Sequence, residues 1–343
     1  MRQNFRPVLA TIVGLAAAAT LLGAAPASAG VATDPPSIPP RSQIVGVGSD
    51  TTQDVMGLDG GTLAQSGFTL NYNATNPKAK LWGWDAFGSA TITPAQGCDP
   101  ITRPSGSSAG VAALKADQAA GNNCIDYARS SRAKNPATDG DLVFIPFARD
   151  GVTWAAFEEG GNFNAPADLT TAELNSIYTC SVTNWSQVGG DNAEIEPYLP
   201  QSGSGTRSFW LSAIGVTTPG ACVNQPAGMP ENDGSAVPAA DRPNAILPYS
   251  IARWVAQDKG TSEDLRAGAT LRQINGTKPL VRNKLNPDFS PAFLRQVFNV
   301  IKPEDQASRA FRKVFATDGY ICRHAEITQR FGFGKLSGAA CGY

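Results

Sequence analysis

Histidine is almost missing from this sequence: His324 is the one example in 343 residues. A histidine-rich metal centre is thereby excluded. The six cysteines include no C-x-x-C pair, so a zinc site lacks its usual ligand set and no cofactor is expected. Charge is scarce as well. Charged residues make up 17% of the chain, against about 25% in an ordinary soluble domain. With 28 Lys+Arg against 29 Asp+Glu the net charge is −1, which leaves no basic footprint for nucleic acid. No Lys follows a Gly in the G-x-x-x-x-G-K-[ST] form, so there is no Walker loop. What the chain does have is 42% hydrophobic residues, 35 Gly and 25 Pro. That is too apolar for a disordered chain and sufficient for one large core or two medium ones.

Residues 1–29 read as a secretory signal. Arg2 and Arg6 supply a positive start, Val8 to Leu22 an apolar run, and Ala27-Ser28-Ala29 an A-x-A cleavage site. No cysteine lies near that point to accept a lipid anchor. The six cysteines, Cys98, Cys124, Cys180, Cys222, Cys322 and Cys341, all fall in the mature part. An even count in an exported chain predicts disulfides. Fifteen pairings are open to six cysteines; the sequential one closes the shortest loops and is the expected pairing.

Residues 30–42 form a Pro-rich linker. Beyond it apolar runs alternate with helical patterns. Strands are predicted at Ile44–Val47, Phe68–Tyr72, Leu142–Pro146, Val152–Phe157, Ile246–Tyr249 and Phe293–Val300. Helices are predicted at Thr51–Leu58, over Gly110–Ala119, at Thr170–Tyr178, at Ser250–Gln257 and at Asp305–Ala316, with a last element at Phe331–Leu336. Thr170 followed by Glu173 is a capping box. Such alternation predicts an α/β fold with mostly parallel strands, and the length favours two lobes. The polar, Pro-rich stretch 223–244 reads as a surface loop.

Four segments share one chemistry: Gly46-Val47-Gly48-Ser49-Asp50-Thr51-Thr52, Ser105-Gly106-Ser107-Ser108-Ala109-Gly110, Asp126-Tyr127-Ala128-Arg129-Ser130-Ser131-Arg132, and Ser202-Gly203-Ser204-Gly205-Thr206-Arg207. Three precede a helical run. Small residues let a backbone approach a ligand, and the first N–H groups of a helix are unpaired and partly positive. Several such termini meeting at one point would bind an oxyanion with few cations. Each segment alone reads equally as a helix cap or a turn.

With these segments in this order, the chain resembles the phosphate-binding proteins of ATP-driven phosphate importers over about residues 43–337. Further shared features are Trp154, Thr183-Asn184-Trp185 and the late Arg330-Phe331-Gly332-Phe333. The resemblance implies a two-lobed periplasmic-binding-protein (type II) α/β fold, with mixed sheets, flanking helices and a hinge. Lobe one would be 43–146, lobe two 147–245, and 246–343 the hinge return and remainder of lobe one. It implies ligand contacts at Asp50, Thr51, Ser107, Ser131, Ser204, Gly205 and Thr206. The family's acid falls at Ser131, its Arg at Pro200 and a second acid at Ser202, so the charged groups differ here. Arg207 is the expected replacement cation, and Asp50 either an acceptor or a helix cap. Hydrogen-bond matching to the ligand's protonation state decides oxyanion choice.

The resulting expectation is a secreted, monomeric solute-binding protein without catalysis. It would hold a small oxyanion, phosphate first, for an ABC importer in the membrane. A secreted scavenger without a transporter is one alternative. A serine hydrolase is another, because Gly106-Ser107-Ser108-Ala109-Gly110 fits G-x-S-x-G with Ser108 at the elbow and His324 downstream. Trp82, Trp84 and Phe87 lie in an apparent insertion, 76–104, and are read first as core. Arg129 and Arg132 either raise the local potential or are solvated.

Overall fold

The computed structural model describes Met1 and residues 37–57, 66–78, 80–158, 160–336 and 338–343. The predicted signal segment (except Met1) and linker residues 30–36 therefore lie outside the described residues. Arg41, at the end of that linker, is held by the carbonyls of Gln96, Gly97 and Asn122.

Nine strands join in one sheet: β1 (Ile44–Gly48), β2 (Leu81–Gly83), β3 (Tyr127–Ser130), β4 (Val143–Phe157), β5 (Glu196–Pro197), β6 (Ala245–Ser250), β7 (Ala269–Leu271), β8 (Leu294–Ile301) and β9 (Gly334–Lys335). The order is β2-β1-β3-β8-β4-β6-β5, with β7 and β9 also pairing β4. Links at the two ends are parallel. Those in the middle are antiparallel. The flanking helices are α1 (Gln53–Gly57), α2 (Phe68–Thr75), α3 (Ser107–Ala120), α4 (Thr171–Tyr178), α5 (Gly205–Ala213), α6 (Ile251–Asp258), α7 (Arg309–Phe315), α8 (Tyr320–Arg323) and α9 (Ala325–Arg330).

β4 organises the molecule. Two strands were expected, 142–146 and 152–157, but the chain runs straight through Arg149-Asp150-Gly151. Asp150 is fully buried and accepts from Arg295 of β8 and Ser250 of β6, so the segment that would turn in isolation is held extended. Pro146 has no N–H to give the ladder, and the register with β8 slips there: Val297 pairs Ala148 while Phe298 pairs Pro146. Proline inside a sheet is confined to such bulges or to edges.

Phe68–Tyr72, expected as a strand from its alternating apolar and polar residues, is instead the first part of α2. Phe68 and Tyr72 lie one turn apart and are both buried. Their rings meet Phe147 and Tyr320 edge-on at 6.3 and 5.1 Å. Two aromatics on one helical stripe bury more apolar area than a lone strand could, and tertiary packing overrides the local pattern. The Thr170 capping box closes reciprocally with Glu173 as predicted. The predicted 305–316 helix is divided: a 3-10 turn at Pro303–Ala307, then α7.

Apolar side chains gather on both sides of the site described below. One set combines Ile44, Leu81, Tyr127, Phe147, Val297 and Phe315, with Val45, Trp84 and Leu114 forming a cluster beside it. The other is built on Trp154, Trp185 and Trp210. Those three indoles are fully buried, each contributing on the order of 3 kcal/mol relative to exposure. This second core draws on the chain well past residue 245, through Ile251, Ile274, Phe289 and Phe293. Trp84 is buried and donates to the Pro94 carbonyl, a core role for that aromatic. The disulfides are Cys98–Cys124, Cys180–Cys222 and Cys322–Cys341, the sequential pairing. Among the described residues no helix is long and apolar enough to cross a membrane.

Candidate functional site

The loop leaving β1 is shaped from below. Arg129 of β3, completely buried, donates to the carbonyls of Ser49 (3.1 Å), Gly48 (3.4 Å) and Trp84 (2.7 Å). Neither sequence expectation for Arg129, field source or solvated surface group, describes it: its cation is engaged by backbone oxygens. Burial pulls its pKa below the ordinary guanidinium value. The result is a fixed loop in which Ser49, Asp50, Thr51 and Thr52 are all buried. Arg132 pairs Asp139 instead (2.7 Å) and donates to Ser108 Oγ at 3.0 Å.

The starts of α3 and α5 meet face to face. Ser107, the first residue of α3, accepts from Ser131 N–H at 2.9 Å and shares a hydroxyl contact with Ser131 Oγ at 3.1 Å. Ser49 Oγ reaches Ser131 Oγ at 3.3 Å. Across the seam, Ser108 N–H donates to the Gly203 carbonyl (3.0 Å) and the Gln201 amide to the Ser105 carbonyl (3.1 Å). Ser204 caps α5 by accepting from Arg207 N–H. Gly106 has φ +89°, and a Cβ there would sit 2.6 Å from the Gly203 carbonyl oxygen. Only glycine combines that backbone with so close an approach.

At the middle of the seam is a carboxylate. Glu231 Oε1 accepts from Gly205 N–H, at the N-terminus of α5, at 2.9 Å. Its Oε2 accepts from Thr51 Oγ1 (2.5 Å) and from Thr206 Oγ1 (2.6 Å). Thr206 Oγ1 in turn accepts from Arg295 Nη2 at 3.0 Å. Arg295, on β8, is anchored by Asp150 at 2.8 Å, and its Nη1 is buried with no hydrogen-bond partner. Asp50 Oδ2 accepts from Glu231 N–H (2.9 Å), while Oδ1 is buried and without a partner. Asp50 therefore serves as an acceptor. Burial, and then the neighbouring Glu231 carboxylate, hold its pKa well above the ordinary value. Arg253 of α6 pairs Asp54 of α1 behind this group, its own pKa drawn down to about 10 by burial.

Of the predicted site residues, Asp50, Thr51, Ser107, Ser131, Ser204, Gly205 and Thr206 are brought to this seam. Arg207 is not. Its guanidinium turns to the Pro200 carbonyl and the Gln225 side chain, and Arg295 holds the position by Thr206 that Arg207 was expected to take.

A family profile described as the PBP superfamily domain matches residues 35–317. The chain belongs to the PBP superfamily. Solved structures share its fold. A substrate-binding protein assigned to phosphate ABC transport in Clostridium perfringens, solved with phosphate bound, aligns at a TM-score of 0.60 and 17% identity, over 86% of this chain and all of the other. An ABC-type phosphate transport receptor from Vibrio cholerae aligns at 0.57 and 18%, over 85% of this chain and all of the other. No curated protein matches the sequence.

Within this PBP-superfamily chain, Ser108 and His324 have separate partners. Ser108 Oγ is held by Arg132, and His324 Nδ1 meets Glu326 at 2.8 Å while its ring lies against Tyr320. Sequence reasoning missed Glu231 and Arg295. The stretch 223–244 was expected on the surface, yet Glu231, Asn232 and Asp233 are buried. Asn232 fixes them, accepting from Ser250 N–H and, at its carbonyl, from Tyr249 Oη. A run of three acid or amide residues between Pro230 and Gly234 was the available signal. For Arg295 the signal was a cation on the buried face of an apolar strand, in alternation with Val297 and Asn299.

Proposed function

We propose that this chain is an exported solute-binding protein that captures a small oxyanion, phosphate in first place, between its two halves and presents it to an ABC importer. One observation carries the reading. Gly205 N–H and Thr206 Oγ1 from the start of α5 and Thr51 Oγ1 from the loop after β1 converge on a single oxyanion-shaped group, with the buried cation of Arg295 bonded to Thr206. A helix N-terminus with hydroxyls recognises an oxyanion in this way without depending on surface charge. The hydroxyls of Ser107 and Ser131 extend the donor set. Ligand contacts made from both sides at once favour the closed arrangement over an open one.

Superfamily membership and the fold shared with phosphate transport receptors support the same reading, and three disulfides suit an oxidising compartment outside the cytoplasm. The site residues proposed are Asp50, Thr51, Ser107, Ser131, Ser204, Gly205 and Thr206, with Arg295 as the cation. Binding is the whole activity; no covalent step is assigned. Calorimetry with phosphate, sulfate, arsenate and molybdate tests this. Heat and a raised melting temperature are expected with phosphate, and no response to any of the four overturns it.

A further inference from the structure

The group on which the donors converge belongs to the protein itself. We propose that the Glu231 carboxylate is a built-in occupant of the oxyanion site, which an incoming anion must displace. The inference rests on the oxyanion reading above and names the group with which a ligand would compete.

The geometry is that of a bound anion. A carboxylate has two oxygens with acceptor sites and no donor. Glu231 places both among donors: Oε1 on the first amide of α5, Oε2 between two threonine hydroxyls. The neighbouring Asp233 turns back on its own loop, its Oδ1 accepting from the Ser235 and Ala236 amides. Glu231 instead reaches out of its own loop to the seam. The surrounding groups remain unsettled by this arrangement. Arg295 Nη1 and Asp50 Oδ1 are both buried beside it without hydrogen-bond partners. A larger tetrahedral anion, with four oxygens, has acceptors that two carboxylate oxygens lack.

Displacement needs no unfolding of the loop. The backbone at 231–232 is fixed independently, by Glu231 N–H to Asp50 and by Asn232 to Ser250 and Tyr249. The side chain can therefore leave by rotation while the main chain stays. The Glu231 carboxylate and an external anion in one site would repel one another, so the anion and the inward-facing carboxylate exclude each other.

The test compares wild type with Glu231→Ala and the near-isosteric Glu231→Gln, using phosphate and formate as probes. Formate is a free carboxylate one carbon smaller than the group removed, so it fits the space left. Expected are phosphate binding at least tenfold tighter in Glu231→Ala, and a melting temperature raised by formate in that variant but unmoved in wild type. Glu231→Gln, whose amide presents a donor to the same N–H and hydroxyls, should also bind phosphate more tightly than wild type, and it serves if the alanine variant does not fold. If wild type binds phosphate and both variants bind it equally or less well, the occupant is overturned while the oxyanion reading stands. If neither wild type nor either variant binds phosphate, sulfate, arsenate or molybdate, the oxyanion reading itself falls and the occupant is overturned with it.

Discussion

Thr51 and Thr206, separated by 155 positions in the sequence, bring their hydroxyl oxygens to 3.2 Å and share one acceptor, Oε2 of Glu231. The first follows β1, the second opens α5, so this pair stitches together the two sides of the seam.

Valine at either position keeps the volume and removes a donor. Thr51→Val and Thr206→Val should each cost about 1–3 kcal/mol of stability, the range for leaving a buried polar partner unsatisfied. Because both act on one oxygen, the double variant should lose less than the sum of the single losses. Chemical denaturation of the four proteins measures the difference.

Ser107 and Arg207 separate the seam from its surroundings. Ser107→Ala removes a hydroxyl that faces Ser131, and affinity for phosphate should fall about tenfold, near 1.4 kcal/mol. Arg207→Ala should stay within about twofold, since its guanidinium is held by Pro200 and Gln225. Calorimetric titration distinguishes them.

Arg295 and Asp150 form a buried pair, both side chains nearly inaccessible. Arg295→Met would leave the Asp150 charge unpaired in the core, costing about 3–5 kcal/mol. Adding Asp150→Asn should restore part of that loss, and urea unfolding of the single and double variants reports it.

Asp126 sets a pH dependence. Its Oδ2 accepts from Val45 N–H at 2.8 Å, yet burial raises its pKa from 3.8 to about 7, with Asp305 and Asp117 adding to the rise and Lys302 opposing it. Between those values the folded chain keeps a proton that the unfolded chain has released, so this carboxyl makes stability fall as pH rises from about 4 to 7. Asp126→Asn, which can still accept from Val45, should flatten that fall. Melting temperatures of both proteins from pH 4 to 8 check the slope.

Much of this was legible in the chain. The four Gly/Ser/Thr segments carry their chemistry locally, in residue type and helix starts, and seven of eight candidate residues meet at the seam. Cysteine spacing indicated the disulfide pairing. The unread parts depend on distant neighbours. α2 looked like a strand because F-T-L-N-Y alternates, and only the rings of Phe147 and Tyr320 make its helical stripe worth burying. Arg207 was expected because it adjoins Thr206 in sequence, whereas Arg295 arrives from 89 residues away through β8. Glu231 was hidden by a Pro-rich setting whose buried end is fixed by Asn232.

The uninterrupted run of β4 has a mechanical meaning. Its first half pairs with β8 beside one core, and its second half with β6 and β7 in the other. Fifteen residues of one strand are thus a common beam. Neither half of the molecule can be excised as a self-standing fragment, because any cut between them severs a rail on which both rest. Motion between the halves must then flex or twist this beam, which makes the bulge at Pro146 and the glycine at 151 its softest points.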